Sequence, residues 1–169
     1  MSAVEQAALE ALAARAGRVL RDAGARLATA ESCTGGWVGQ CLTAIPGSSE
    51  WFDRGFITYS NEAKVELLDV SADLLRRQGA VSEATAAAMV LGALAHSRAD
   101  WALAITGVAG PAGGSPGRPV GTVCFAWAGR EGAVDTLTRH FSGHREAIRA
   151  QSVACALEGL VERVGRCLA

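Results

Sequence analysis

Apolar positions recur at helical spacing through Leu9, Leu12, Ala16, Val19, Leu20 and Ala23, predicting a first helix that Gly24 ends. The period then shortens, and ARLATAE (residues 25–31) reads as a strand running into the turn SCTGG. Trp37, Val38, Cys41, Leu42 and Ile45 form one face of a second helix beginning near Gly35, before PGSS turns the chain. RGFITYS is a second strand, and NEAKVELL a short helix with Asn61 or Ser60 as its N-cap. After a helical turn near Ala72 to Arg77, Ser82 caps a helix carrying Ala86, Met89, Val90, Ala93 and Leu94. WALAIT is apolar throughout, as expected of a strand buried on both faces. TVCFAWAGREGAVDTLTRHF reads as two strands joined around GREG, and Val153 to Leu168 marks a closing helix. The alternation predicts an α/β fold: a three-layer α/β/α sandwich with a mixed, mostly parallel sheet. No linker or repeat divides residues 1–169, so one domain is expected.

Composition narrows the function classes. Half the residues are hydrophobic and the formal net charge is -1, which gives no support to a general attraction to nucleic acid or acidic membranes. The five cysteines are scattered and form no C-x-x-C pair, which argues against a disulfide frame or a zinc site and for reduced thiols in the cytoplasm. No apolar run approaches the length of a membrane span.

Ligands of open α/β sheets bind beyond the carboxyl ends of the strands. Three strand exits here carry reactive or flexible residues: AESCTGG, TYSNEAK and ITGVAGPAGG. At the first, Ser32 is a candidate nucleophile beside helix-start amides able to hold an oxyanion; the plainer reading makes Ser32 or Thr34 an N-cap. Histidine is scarce: His96, His140 and His144 are the whole supply, with His96 on a helix end and His140 on a strand end, so a Ser-His-Asp arrangement is open but unsupported. Lys64 is the better base. It is the single lysine among fifteen arginines, in a six-residue stretch that also holds the only tyrosine, Tyr59, and the only asparagine, Asn61. A lysine in the first turn of a helix and partly buried is pushed toward the neutral amine, whereas a guanidinium does not deprotonate in proteins. Tyr59 is equally a proton relay or a tyrosine closing a core strand. The third exit lacks the Gly-Lys-Ser/Thr ending of a nucleotide-triphosphate loop, so a flexible loop closing over a ligand is expected, with Thr106 as donor at its base. Arg145 and Arg149 begin the last helix, where a ligand phosphate would suit them.

AESCTGG, PGSS followed by YSNEAK, GAVS leading into AAAMVLGA, TGVAGPAGG with RPVGTV, and FSGHREAIR together resemble the CinA C-terminal domain family, the nicotinamide-nucleotide amidases. The resemblance runs in order from about Leu27 to Leu160. It implies hydrolysis of the carboxamide of nicotinamide mononucleotide to nicotinate mononucleotide and ammonia, in pyridine-nucleotide salvage, with no metal or cofactor. It implies Ser32 as nucleophile, Lys64 as base and Tyr59 as assisting phenol. Ser48, Thr106 and Arg145 match positions lining the substrate pocket, and Cys33, Thr34, Gly35, Asn61 and Gly107, within the same motifs, are further substrate-binding candidates. A small nucleotide substrate and a homo-oligomer are implied as partners. Two departures stand out: Arg118 replaces the family's usual lysine, and His144 its usual Asp or Asn. A Cys33-dependent amidase and a non-catalytic ligand-binding or regulatory module remain alternatives.

Overall fold

The computed structural model of the chain describes residues 3–168. Among them run α1 (Ala3–Asp22), β1 (Leu27–Glu31), α2 (Trp37–Thr43), a 3-10 turn (Ser48–Glu50), β2 (Phe52–Ile57), α3 (Asn61–Leu68), α4 (Ala72–Gln78), α5 (Glu83–Ala95), β3 (Trp101–Gly107), β4 (Thr122–Gly129), β5 (Asp135–His140) and α6 (Arg145–Leu168). The strands form one sheet in the order β2-β1-β3-β4-β5. β1 pairs parallel with both β2 and β3, β4 is antiparallel to β3, and β5 is antiparallel to β4. Only β4 therefore points against the others, as the late hairpin around GREG requires.

The two faces of the sheet differ in side-chain size, and this sets how close each helix layer can come. Alternation along the strands sends Leu27, Leu103, Ile105, Val123, Phe125 and Trp127 to one face, where α1, α2 and α6 cover them. The opposite face is Ala28, Ala30, Ala102, Ala104, Ala126 and Ala128, with α5 and residues of α3 and α4 packed against it. Small residues on this face admit α5 closely, and α5 in turn presents Gly92 to the end of α3. A Cβ at Gly92 would lie 2.1 Å from the Leu68 carbonyl oxygen, so the seat of α3 on α5 requires a glycine. The helix carrying Lys64 thus rests backbone to backbone on the core.

Boundaries depart from the hydrophobic pattern at two places near the strand exits. The second helix begins at Trp37 rather than near Gly35, because Gly35 and Gly36 have φ of 61° and 93° and form a turn instead. The cap of α3 is Ser60, whose side chain accepts from the Ala63 amide; Asn61 is the first helical residue. Lys64 consequently lies one position deeper in the helix than a cap at Asn61 would place it.

Candidate active site

The exits of β1, β2 and β3 converge on one cleft of about 290 Å³, lined by Ser32, Cys33, Tyr59, Lys64, Ala80, Val81, the 106–113 loop and Arg145. Its first wall is the turn after β1. The Ser32 amide bonds to the Ile105 carbonyl of β3, and the Gly35 amide closes the turn onto the Ser32 carbonyl. Glu31, fully buried at the end of β1, anchors the start of α2. One carboxylate oxygen accepts from the Thr34 hydroxyl at 2.7 Å and from the Gly36 and Val38 amides at 3.1 Å each. The other accepts from the Gly39 amide at 2.9 Å. The orphan amides at the start of α2 are thereby satisfied by an internal anion. The start of α2 itself is therefore not open to a substrate; of the amides in the preceding turn, that of Gly35 closes the turn, and those of Cys33 and Thr34 bond no carbonyl or carboxylate among the described residues. Periodicity gives no hint of the part Glu31 takes, because a helix beginning near Gly35 already has Ser32 or Thr34 as a ready N-cap.

Lys64 is 1% exposed and reaches Ser32 across the bottom of the cleft. Its Nζ lies 3.2 Å from Ser32 Oγ, 2.8 Å from the Thr58 carbonyl and 3.4 Å from the Ser60 carbonyl. Carbonyls only accept, so a neutral amine gives its two N–H groups to Thr58 and Ser60 and leaves its lone pair for the Ser32 hydroxyl. Burial holds the Lys64 pKa below the usual lysine value, and the one opposing influence is the Cys33 thiol. That thiol is itself pushed up to about 12 by burial, so at neutral pH it carries no charge that could hold the ammonium. Among the described residues no carboxylate pairs with Lys64: Glu31, next to Ser32 in sequence, is committed to α2, and Glu62 and Glu66, the acids nearest Lys64 in sequence, line the separate groove between α3 and α4. The pair is a hydroxyl and a deprotonatable amine in contact.

The remaining candidates divide. Tyr59 is 60% exposed at the mouth, and its hydroxyl accepts from Arg145 at 2.8 Å rather than touching Lys64. Arg145 also donates to the Gly110 carbonyl at 2.7 Å, bridging the two lips of the cleft. Thr106 is buried and its hydroxyl donates to the Ala80 carbonyl at 2.7 Å, so toward a ligand it offers an acceptor, correcting its expected donor role. Gly107 lines the cleft through its backbone. Thr34 and Gly35 are structural parts of the turn: the Thr34 hydroxyl is spent on Glu31, and Gly35 faces a separate depression with Trp37 and Arg149. Asn61 opens onto another groove, between α3 and α4. Ser48 precedes β2, at the amino end of the parallel strands, whereas Ser32 follows the carboxyl end of β1. The six residues of β2 separate the two positions by roughly 20 Å, so one chain does not bring Ser48 to the cleft.

Other residues are also accounted for. His96 meets Asp69, His140 meets Thr122, and the His144 ring accepts from the Ala147 amide as a cap of α6, so none partners Ser32. Arg149, a candidate for a ligand phosphate in the sequence, instead donates to the Cys33 and Thr34 carbonyls. Burial pushes the Cys33 thiol up to about 12, which disfavours the thiolate that a Cys33-dependent amidase would need. No helix of the described residues is long and apolar enough to cross a membrane, and no described cluster of His, Cys, Asp or Glu could hold a metal ion.

Known proteins are similar to this chain in sequence and in structure. The nicotinamide-nucleotide amidohydrolase PncC of Escherichia coli K12 is 51% identical over 149 residues, covering 88% of this chain and 90% of its own length. The protein of the same name from Pseudomonas putida is 50% identical over 151 residues, covering 89% and 94%. The crystal structure of a competence-damaged protein (CinA) superfamily protein from Klebsiella pneumoniae 700603 superposes with a TM-score of 0.90 at 43% identity, over 94% of this chain and 98% of that one. With the model of the CinA C-terminal domain matching residues 9–164, nearly everything from the first helix to the last, the chain belongs to the CinA C-terminal domain family.

Proposed function

We propose that the chain hydrolyses the carboxamide of nicotinamide mononucleotide, yielding nicotinate mononucleotide and ammonia through an acyl-enzyme on Ser32. The observation that carries this reading is the buried Lys64 amine 3.2 Å from the Ser32 hydroxyl with no carboxylate paired to it. The named activity of relatives at about half identity supplies the substrate.

The steps follow from the groups present. Ser32 Oγ attacks the carboxamide carbon as its proton passes to the Lys64 amine, and the carbonyl oxygen becomes an oxyanion facing the turn amides of Cys33 and Thr34. The lysine ammonium then returns the proton to the leaving nitrogen, so that ammonia rather than an amide anion departs. Water, deprotonated by the same amine, cleaves the ester and frees Ser32. The cleft is at the small end of the usual range of roughly 300–1,000 Å³, which suits a nicotinamide ring inside and the ribose phosphate at the mouth. There Arg145 uses two of its five N–H groups on Tyr59 and Gly110, and the rest can meet a phosphate. Tyr59 assists by holding Arg145 and not by direct contact with the dyad. The whole of 1–169 acts as a single amidase domain in this reading.

Ammonia release from nicotinamide mononucleotide, nicotinamide riboside and nicotinamide by the purified protein tests the proposal. The mononucleotide is expected to be turned over fastest and Ser32→Ala to be inactive on all three. Equal turnover of free nicotinamide would remove the role of the cleft mouth, and an active Ser32→Ala would remove the acyl-enzyme.

A further inference from the structure

Arg149 lies on α6 and does not itself line the cleft; it faces the separate depression beside Gly35 and Trp37. Its Nε donates to the Cys33 carbonyl at 3.1 Å and its Nη2 to the Thr34 carbonyl at 2.8 Å, with the guanidinium 5.1 Å from the centroid of the Trp37 ring. Two successive carbonyls of the turn that carries Ser32 are thus held by one cation. On the other side of the same turn, Glu31 takes the Thr34 hydroxyl and the Gly36, Val38 and Gly39 amides. The turn is clamped by a guanidinium at its carbonyls and a carboxylate at its later amides. Since the C=O and N–H of a trans peptide point in opposite directions, fixing the Cys33 carbonyl onto Arg149 fixes the Thr34 N–H away from α6. That amide is one of the two left for an oxyanion.

We propose that Arg149 is a positioning residue for the reaction, holding the Ser32–Thr34 turn by its carbonyls so that the nucleophile and the Thr34 amide keep their reactive geometry. The proposal rests on Ser32 being the nucleophile. A planar guanidinium with two donors suits this role, because a lysine at the same position offers one point charge and reaches the two carbonyls less well. A misplacement of the order of 1 Å in a catalytic group lowers turnover by roughly 10²-fold, which sets the size of the expected effect.

The test uses two readouts on the full chain. One is kcat and KM for ammonia release from nicotinamide mononucleotide. The other is the rate of phosphonylation by a fluorophosphonate probe, in which Ser32 Oγ displaces fluoride at phosphorus and Lys64 takes the serine proton; it reports on the turn whatever the natural substrate is. Arg149→Ala is expected to lower both kcat and the phosphonylation rate by roughly 10²-fold with KM unchanged, and added guanidinium ion to restore a large part of each. Arg149→Lys, melting near the wild-type temperature, is expected to fall between the two and serves as the deciding variant if Arg149→Ala does not fold. Phosphonylation of either folded variant at the wild-type rate would overturn the positioning role, as would a loss shared equally between kcat and KM that guanidinium does not repair. A wild-type protein that is phosphonylated at Ser32 but releases no ammonia from the mononucleotide would sink the substrate assignment alone, with Arg149 still judged by the probe. A wild-type protein inert to the probe would overturn both.

Discussion

In the proposed reaction the chemistry turns on Lys64, and its predicted behaviour follows from proton counting. Below its folded-state pKa the amine is an ammonium that donates to Ser32 and cannot take the serine proton. The rate should therefore rise as pH climbs through that value, with the limb placed below the ordinary lysine value of about 10.4 because burial disfavours the charge. A kcat profile whose only rising limb falls at or above 10.4 would contradict this. Lys64→Arg keeps a cation at the site and forbids the proton transfer, so ammonia release should fall by roughly 10²–10⁴-fold while the fold survives. The same shift has a thermodynamic face. Between the folded and unfolded pKa values the unfolded chain binds the extra proton, so stability contributed through Lys64 increases with pH across that window. The wild type should accordingly gain stability relative to Lys64→Met as pH rises from neutral toward about 10.4, measured as the difference in thermal midpoints. A difference that stays flat over that range would mean the lysine is not buried as an amine. Residue type pointed to this place in the sequence: the single lysine of an arginine-rich chain is the one the structure buries beside Ser32. Glu31 was not legible in that way, because a carboxylate ending an apolar strand looks like an exit to solvent until the unpaired amides of α2 are counted.

At the scale of elements, the pattern of apolar positions predicted nearly every helix and strand, and the errors cluster where local turns override it. The consecutive left-handed glycines delayed α2 by two residues, and those residues are the ones that let Glu31 reach the helix start. Ser60 rather than Asn61 caps α3, a choice that periodicity cannot make because both residues are good caps. The close seat of α3 on α5 was equally invisible: Gly92 reads as a weak point in a helix, and its purpose appears only when the Leu68 carbonyl is found against it. Gly92→Ala should therefore do more than the usual substitution in a helix. A methyl 2.1 Å from a backbone oxygen must push α3 outward, and α3 carries the Lys64 amine. Overpacking of this kind is expected to destabilise the chain by about 1–3 kcal/mol, read from the denaturant midpoint. It should also lower kcat by drawing Nζ away from Ser32, whereas Gly165→Ala, with open space around its Cβ, should change neither. Unchanged turnover in a destabilised Gly92→Ala would show that the dyad does not depend on this contact.

In the whole molecule, the site forms where the carboxyl ends of three parallel strands meet, which is why strand exits read from sequence alone located Ser32, Tyr59, Lys64 and Thr106 in one place. The same topology separates what the family motifs place side by side. Ser48 belongs to the PGSS turn, and PGSS stands before YSNEAK in the chain, yet β2 carries those two motifs to opposite ends of the sheet. Sequence proximity to a site residue therefore says little in a parallel sheet; what matters is which end of the strand a residue occupies. Asn61, on the same side as the cleft but turned toward the α3–α4 groove, illustrates the second way a neighbour can miss the site. The geometry of one chain accordingly predicts that Ser48→Ala and Asn61→Ala leave kcat and KM for nicotinamide mononucleotide unchanged, while Thr106→Val weakens binding by removing an acceptor at the cleft and a bond to Ala80. Ser48 supplies the sharper comparison. Loss of activity in Ser48→Ala would require a second copy of the chain to bring its own Ser48 across. In that case mixing Ser48→Ala with Ser32→Ala protein would restore turnover at sites that join an intact Ser32 to an intact Ser48. Full activity of Ser48→Ala at every protein concentration would instead mean that the cleft is complete within one chain.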